Sequence, residues 1–92
     1  MVPKSIFNSV RENIEAVIAK KQPIGLALWD AFIQLHPADI AAFFAGLDRD
    51  LCRRFFIKLP RALQIRIFQE FSESLKVFTL SFLSDVQRSD IL

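Results

Sequence analysis

A pattern of twelve residues repeats from His36 to the end of the chain and constrains the fold more than any other feature. The units read HPADIAAFFAGL, DRDLCRRFFIKL, PRALQIRIFQEF and SESLKVFTLSFL, followed by the shorter SDVQRSDIL. If the first residue of each unit is position zero, positions three, seven, eight and eleven are mostly apolar. At about 100° per residue these positions share one side of a helix. The repeat therefore predicts a series of short amphipathic helices.

Each unit opens with residues that favour the start of a helix. Asp48, Ser72 and Ser84 have side-chain oxygens that can accept hydrogen bonds from the free amides of a first turn. Pro37 and Pro60 lie where a backbone without an N–H costs nothing. Because isolated helices of this length are marginal in water, each must stack on its neighbours. We therefore expect an all-α fold in which short helical hairpins form a superhelix.

The chain before His36 follows the repeat less closely. Apolar residues at helical spacing predict one long helix from about residue 4 to residue 20, which a Lys-Lys-Gln-Pro sequence ending at Pro23 would stop. The segment Ile24–Leu35 is a degenerate copy of the repeat, and we expect Trp29 in the core or at the edge of its helix. Its predicted core positions are occupied by Ala27, Ala31, Phe32 and Leu35.

The composition predicts a single helical domain over residues 1–92, with repeat helices from about 24 to 92. Hydrophobic residues make up 52% of the sequence, which includes ten Phe and no Tyr. Phe brings apolar area without a hydroxyl group to satisfy and suits a dry helical core. The last unit stops before its apolar stripe is complete. We expect either that the natural protein is longer or that a partner covers this end.

The reactive residues do not form a pattern that predicts catalysis. His36 is the only histidine, and its place beside Pro37 favours a structural turn over a general base, which would also need a nucleophile and an orienting group. Cys52 is the only cysteine and falls on an apolar helical face, where we expect a buried thiol. We therefore predict that the chain is not an enzyme.

The charge and hydropathy patterns exclude two further classes. The net charge is +2, and the basic pairs Lys20-Lys21 and Arg53-Arg54 are too short for a nucleic-acid-binding tract. No apolar run approaches the roughly 20 residues that span a bilayer, and the N-terminus lacks the apolar segment of a signal peptide. We expect a soluble, intracellular chain that binds no nucleic acid and does not itself insert into the membrane.

Carboxylates are the remaining candidates for a metal site. Asp48 and Asp50 flank one arginine, and Glu70 and Glu73 are three residues apart across a turn. Asp85 and Asp90 both lie in the last segment. Mg²⁺ often takes only one or two carboxylates together with waters, so such a pair could form half of a site that another domain completes. Helix capping is the alternative for Asp48 and Asp85, because negative charge suits a first helical turn.

Four segments resemble a known family. LHPADIAAFF, GLD at Gly46–Asp48, FIKLP at Phe56–Pro60 and FSES at Phe71–Ser74 resemble the cytosolic N-terminal domain of MgtE-type magnesium transporters. The resemblance extends from about Leu28 to the end of the chain. The His-Pro-Ala-Asp-Ile start and the Leu-Asp and Leu-Pro junctions are its most specific parts.

The resemblance implies a function as well as a fold. It implies a right-handed superhelix that precedes a pair of CBS domains and a membrane-embedded pore in a homodimeric transporter. In such a protein the chain would be a fragment that lies at the cytoplasmic face of the membrane. Mg²⁺ ions between acidic surfaces would hold its domains together and keep the pore closed.

This sequence departs from that family in its charge. Domains of the family are usually acidic, whereas this chain is +2, and Arg66 stands where the resemblance implies a carboxylate. Arg66 could instead pair with an acidic CBS surface and form a domain contact without an ion. The middle domain of flagellar motor switch proteins resembles the same pattern, so the alternative function is a non-enzymatic scaffold for protein interactions.

Overall fold

The chain folds into a set of short helices, as the repeat predicts. The computed structural model describes residues 3–20 and 23–92. Within these ranges there are eight α-helices and no strand, which confirms the all-α prediction. The helices are α1 (Pro3–Glu12), α2 (Ile14–Ala19), α3 (Pro23–Phe32), α4 (Pro37–Ala45), α5 (Arg49–Phe56), α6 (Arg61–Phe68), α7 (Glu73–Phe82) and α8 (Asp85–Ile91). The arrangement of these helices as a superhelix, and its handedness, stay predictions.

The predicted helix starts are confirmed at three positions. Asp48 Oδ1 accepts a hydrogen bond from the Asp50 backbone N–H at 2.8 Å. Ser72 likewise caps the first turn of α7. Ser84 Oγ accepts from the Gln87 N–H at 3.2 Å, while Gln87 Oε1 accepts from the Ser84 N–H at 3.0 Å. This reciprocal pair satisfies two amides that the helix itself leaves free.

The single helix predicted over residues 4–20 is divided at Asn13. Its side-chain Nδ2 donates to the Ser9 carbonyl oxygen at 2.9 Å, and its backbone lies at φ −119° and ψ 29°. Such a local side-chain bond competes with helical backbone bonding. The second helix ends where Lys20 adopts the left-handed conformation, with φ 56°. The predicted stop residues Lys21 and Gln22 lie outside the described residues.

Helix α3 buries only part of the face that the degenerate repeat predicts. Phe32 and Trp29 are buried as expected, whereas Ala27 is exposed and Gly25 is buried. A Cβ added at Gly25 would lie 2.4 Å from the Ala16 carbonyl oxygen, so this glycine lets α3 approach the backbone of α2 closely. The close approach fixes which face of α3 turns inward.

The core is a continuous network of aromatic rings that includes all ten Phe and Trp29. Phe55 lies near its centre, with its ring centroid 4.8 Å from that of Phe32 and 5.3 Å from that of Phe44. Phe43 and Phe44 are both buried although they are adjacent in sequence. Both rings contact Phe32 and Phe55, but each also has a neighbour of its own: Phe43 stacks on Phe7 of α1, and Phe44 contacts Phe71 beyond α6.

Position seven of the repeat is buried in every unit. The residues at this position are Phe43, Phe55, Ile67, Thr79 and Ile91. Gln64 is a polar exception in the core and makes a specific bond: its Nε2 donates to the Phe56 carbonyl oxygen at 2.8 Å. The same carbonyl oxygen also accepts from the Leu59 N–H at 3.1 Å, while the residue four positions after Phe56 is Pro60, which has no N–H to donate. The Gln64 side chain therefore supplies a second donor to this carbonyl.

Candidate functional site

The first acidic pair is occupied by contacts within the chain. Asp48 caps α5, and Asp50 forms an ion pair with Arg53, whose nearest guanidinium nitrogen lies 2.8 Å from Asp50 Oδ1. Asp50 Oδ2 also lies 3.8 Å from Arg54 Nη1. The carboxylates are exposed, but their charge is already compensated by nearby arginines and by the helix start. In the described structure, Asp48 and Asp50 therefore stabilise the start of α5.

The acidic pair in the last segment is likewise compensated. Asp85 pairs with Arg88 one helical turn later. Asp90 Oδ2 lies 2.9 Å from Arg61 Nη1, and this ion pair joins α8 to α6. The two carboxylates therefore make separate ion pairs.

Glu70 and Glu73 are the candidates that remain without an ion pair among the described residues. Glu70 lies in the turn after α6, Glu73 opens α7, and both are exposed. Two carboxylates supply fewer oxygens than Mg²⁺ needs unless waters or another surface complete the shell. No group of three or more His, Cys, Asp or Glu side chains arranged to hold a metal occurs in residues 3–20 and 23–92.

Arg66 is exposed on α6, and no carboxylate within the described ranges lies at ion-pair distance from it. Lys58, in the turn between α5 and α6, shares this property. A guanidinium group without a partner retains all five of its N–H donors for a carboxylate on another protein or domain.

The two reactive residues, His36 and Cys52, have structural roles: His36 caps a helix and Cys52 is buried in the core. His36 Nδ1 accepts a hydrogen bond from the Ala38 N–H at 3.1 Å and caps α4. Cys52 is 1% exposed, and burial raises the pKa of its thiol to about 11 despite the nearby charge of Arg49. A thiol with this pKa is protonated at neutral pH and is a poor nucleophile. The prediction of a buried cysteine is confirmed.

An ion pair that the sequence did not suggest joins α2 to α5. Both guanidinium Nη atoms of Arg54 bond the two carboxylate oxygens of Glu15, at 3.0 and 2.5 Å. The hydrogen bond from Arg54 lowers the pKa of Glu15 below its ordinary value of 4.5, and the carboxylate in turn raises the pKa of Arg54. The residues are 39 positions apart, so no helical spacing reveals the pair.

We expect Glu15→Gln to lower the Tm slightly at neutral pH and to have no effect in acid. The pKa of Glu15 is lower in the folded state than in the unfolded state. Its stabilisation is therefore present above the ordinary value of 4.5 and is lost as the pH falls through the lowered value. The side chains are exposed, so the effect is small and should decrease in high salt.

Thermal unfolding followed by circular dichroism over a pH series would measure this difference. Glu12→Gln is the matched control, because Glu12 is exposed on α1 and makes no ion pair in the described part of the chain. An equal effect of both substitutions at neutral pH would contradict a specific role of the Glu15–Arg54 pair.

None of the helices within the described ranges has the length and apolar character needed to cross a bilayer. The surface of the described residues carries helix-capping side chains, ion pairs between helices and a few charged side chains without an ion-pair partner.

Comparisons of the chain with protein-family models, with curated proteins and with solved structures give no significant match.

Proposed function

We propose that this chain is a non-enzymatic regulatory domain of a magnesium transporter, packed against adjoining CBS domains at the cytoplasmic face of the membrane. The observation that supports this proposal is the twelve-residue register of helices, whose starts at His36, Asp48 and Ser72 coincide with the segments that resemble the MgtE N-terminal domain. The register of helices is also compatible with an interaction scaffold. The charged surface residues Glu70, Glu73 and Arg66 therefore provide the test that distinguishes the two functions.

The proposal gives two parts of the surface different roles. Glu70 and Glu73 are the carboxylates that this chain offers to a Mg²⁺ ion shared with an adjoining domain, because their charges are not compensated within the described structure. Arg66 is the cation that contacts an acidic surface of that domain. The isolated chain is then expected to bind Mg²⁺ weakly, with affinity arising only when the second domain is present.

The first test identifies the natural protein. An antibody raised against these 92 residues would be used on soluble and membrane fractions of cell extract, with the band sized on a denaturing gel. The proposal predicts a membrane band several times larger than the 10.6 kDa of this chain. A soluble band near that mass would contradict it and favour a free-standing scaffold.

A charge reversal separates regulation by Mg²⁺ from a scaffold. Arg66→Glu removes the contact of a cation with an acidic surface and places a carboxylate where the resemblance implies one. Association with the adjoining CBS domains, measured by calorimetry, should therefore weaken without Mg²⁺ and become more dependent on Mg²⁺. Gln34→Glu is the control, because it adds a carboxylate at an exposed position in the turn after α3. A scaffold would gain no Mg²⁺ dependence from Arg66→Glu.

A further inference from the structure

The first turn of α4 depends on one side chain for its hydrogen bonding. Pro37 has no N–H to donate. The N–H groups of Asp39 and Ile40 both donate to the His36 carbonyl oxygen, at 3.0 and 3.1 Å. The Ala38 N–H is the remaining donor of this turn, and its acceptor is His36 Nδ1 at 3.1 Å. The imidazole therefore completes the start of the helix.

The bond from Ala38 exists only while the His36 ring is neutral. A backbone N–H can only donate, so Nδ1 must carry the lone pair and the ring proton must lie on Nε2. Protonation of the imidazole places a hydrogen on both nitrogens and removes this acceptor. The new positive charge would also lie at the positive end of the α4 dipole, which is unfavourable. Both effects weaken the start of α4 in acid.

The other side-chain caps do not change over the same pH range. Ser72 and Ser84 present hydroxyl groups, and Asp48 presents a carboxylate. Carboxylic acids ordinarily ionise below about pH 5, whereas imidazole ordinarily takes up a proton between about pH 8 and pH 5. His36 is the only histidine in the sequence, and the raised pKa of Cys52, about 11, keeps that thiol protonated. A change in stability in this range would therefore report on His36.

No carboxylate is placed to compensate a protonated His36 ring in the part of the chain that the structure describes. None lies at ion-pair distance from the imidazole. The helices whose side chains contact α4 also carry cations, with one arginine on α1, three on α5 and two on α6, which would oppose a further positive charge. The carboxylates of α4 and of the segments that contact it are Asp39, Glu12, Asp30, Asp50 and Glu70.

We propose that His36 is a pH-sensitive cap that loosens the first turn of α4 in mildly acidic solution. Ile40 in this turn is fully buried, and Phe43 further along the helix stacks on Phe7 of α1. The N-terminal helices therefore contact the repeat at the helix whose start His36 caps. A transporter domain and a scaffold would share this property, so it does not depend on the proposed function.

Urea unfolding of the 92-residue chain at about pH 7.5 and about pH 5.5, followed by circular dichroism, tests the proposal. His36→Asn keeps a side-chain acceptor that does not titrate, and His36→Ala has none. We expect the unfolding equilibrium constant of the unaltered chain to rise about fivefold at the lower pH. That of either variant should change by less than about twofold. The unaltered chain should resemble His36→Asn at the higher pH and His36→Ala at the lower pH.

The Ala38 amide provides a local readout of the same event. Its resonance in proton–nitrogen correlation spectra should move with pH in the unaltered chain, together with the His36 ring signals, and should stay fixed in His36→Asn. A pH dependence of unfolding that persists in His36→Asn would overturn the proposal, because another group would then be responsible. Equal stability of the unaltered chain and His36→Ala at the higher pH would overturn it as well, since the cap would contribute nothing.

Discussion

Phe55→Ala is expected to lower the free energy of unfolding by about 4 kcal/mol. Phe55 is fully buried and touches Trp29, Phe32, Phe43 and Phe44, with ring centroids between 4.8 and 6.4 Å away. Truncation would leave a cavity among rigid rings that belong to α3 and α4. These rings cannot all move to fill it, because each also packs on another helix. Urea unfolding followed by far-ultraviolet circular dichroism would measure the change.

Phe78→Ala is the matched control for this truncation. Phe78 is half-buried on α7, with Phe82 as its aromatic neighbour and the Arg49 guanidinium 4.9 Å from its ring centroid. Since less apolar surface is lost from the interior, we expect a cost of about 2 kcal/mol. Equal costs at the two positions would show that the ring network is not centred on Phe55.

Gly25→Ala is expected to destabilise the protein by about 2 kcal/mol, even though alanine is the better helix former. The new Cβ would lie 2.4 Å from the Ala16 carbonyl oxygen and 2.8 Å from its carbon, and both are backbone atoms. A flexible side chain could move aside, but here the axes of α2 and α3 must separate. The separation would pull Trp29 away from its contacts in the core. Chemical unfolding would again measure the loss.

Gly46→Ala tests whether a new methyl group is harmful by itself. The nearest atom to a Cβ at Gly46 would be the Phe43 carbonyl oxygen at 3.6 Å, and its φ of −90° suits any residue. We expect a change within about 0.5 kcal/mol, and a slight gain in stability is consistent with a less flexible unfolded chain. If Gly46→Ala cost as much as Gly25→Ala, the close approach of α2 and α3 would not be the cause.

The parts of the fold that depend on local chemistry were predictable from the sequence. Asp48, Ser72 and Ser84 begin helices because their side-chain oxygens satisfy amides only two or three residues away. The burial of position seven follows from helical periodicity in the same way. The burial of Cys52 was predictable for this reason too, since it lies on the inward side of α5.

The parts that depend on contacts between distant segments were not predictable. The inward face of α3 is set by the fit of Gly25 against the backbone of α2, and a single glycine in a helix usually signals only weak helix propensity. The pairing of Glu15 with Arg54 requires the positions of two helices far apart in sequence. The division of the N-terminal helix at Asn13 differs from these features, because local sequence could have revealed it. Asparagine within an apolar stripe is a local signal of a helix break.

The difference between local signals and long-range contacts also applies to the candidate acidic residues. Sequence spacing suggested three carboxylate pairs of equal interest. The pairing of Asp90 with Arg61 of another helix, and of Asp50 with nearby arginines, leaves Glu70 and Glu73 as the pair with uncompensated charge in the described structure. Only the tertiary arrangement distinguishes them, because charge compensation depends on neighbours in space.

The position of Trp29 gives the protein a built-in optical reporter. It is the only tryptophan in a chain without tyrosine, and its ring stacks on Phe55 at 5.7 Å with the Lys20 ammonium 4.2 Å from its centroid. Its fluorescence therefore senses the junction between the N-terminal helices and the repeat, whereas circular dichroism averages over every helix. A shift in emission that precedes the loss of helical signal would mean that the N-terminal helices detach first. Coincident transitions would mean that the junction and the repeat unfold as one unit.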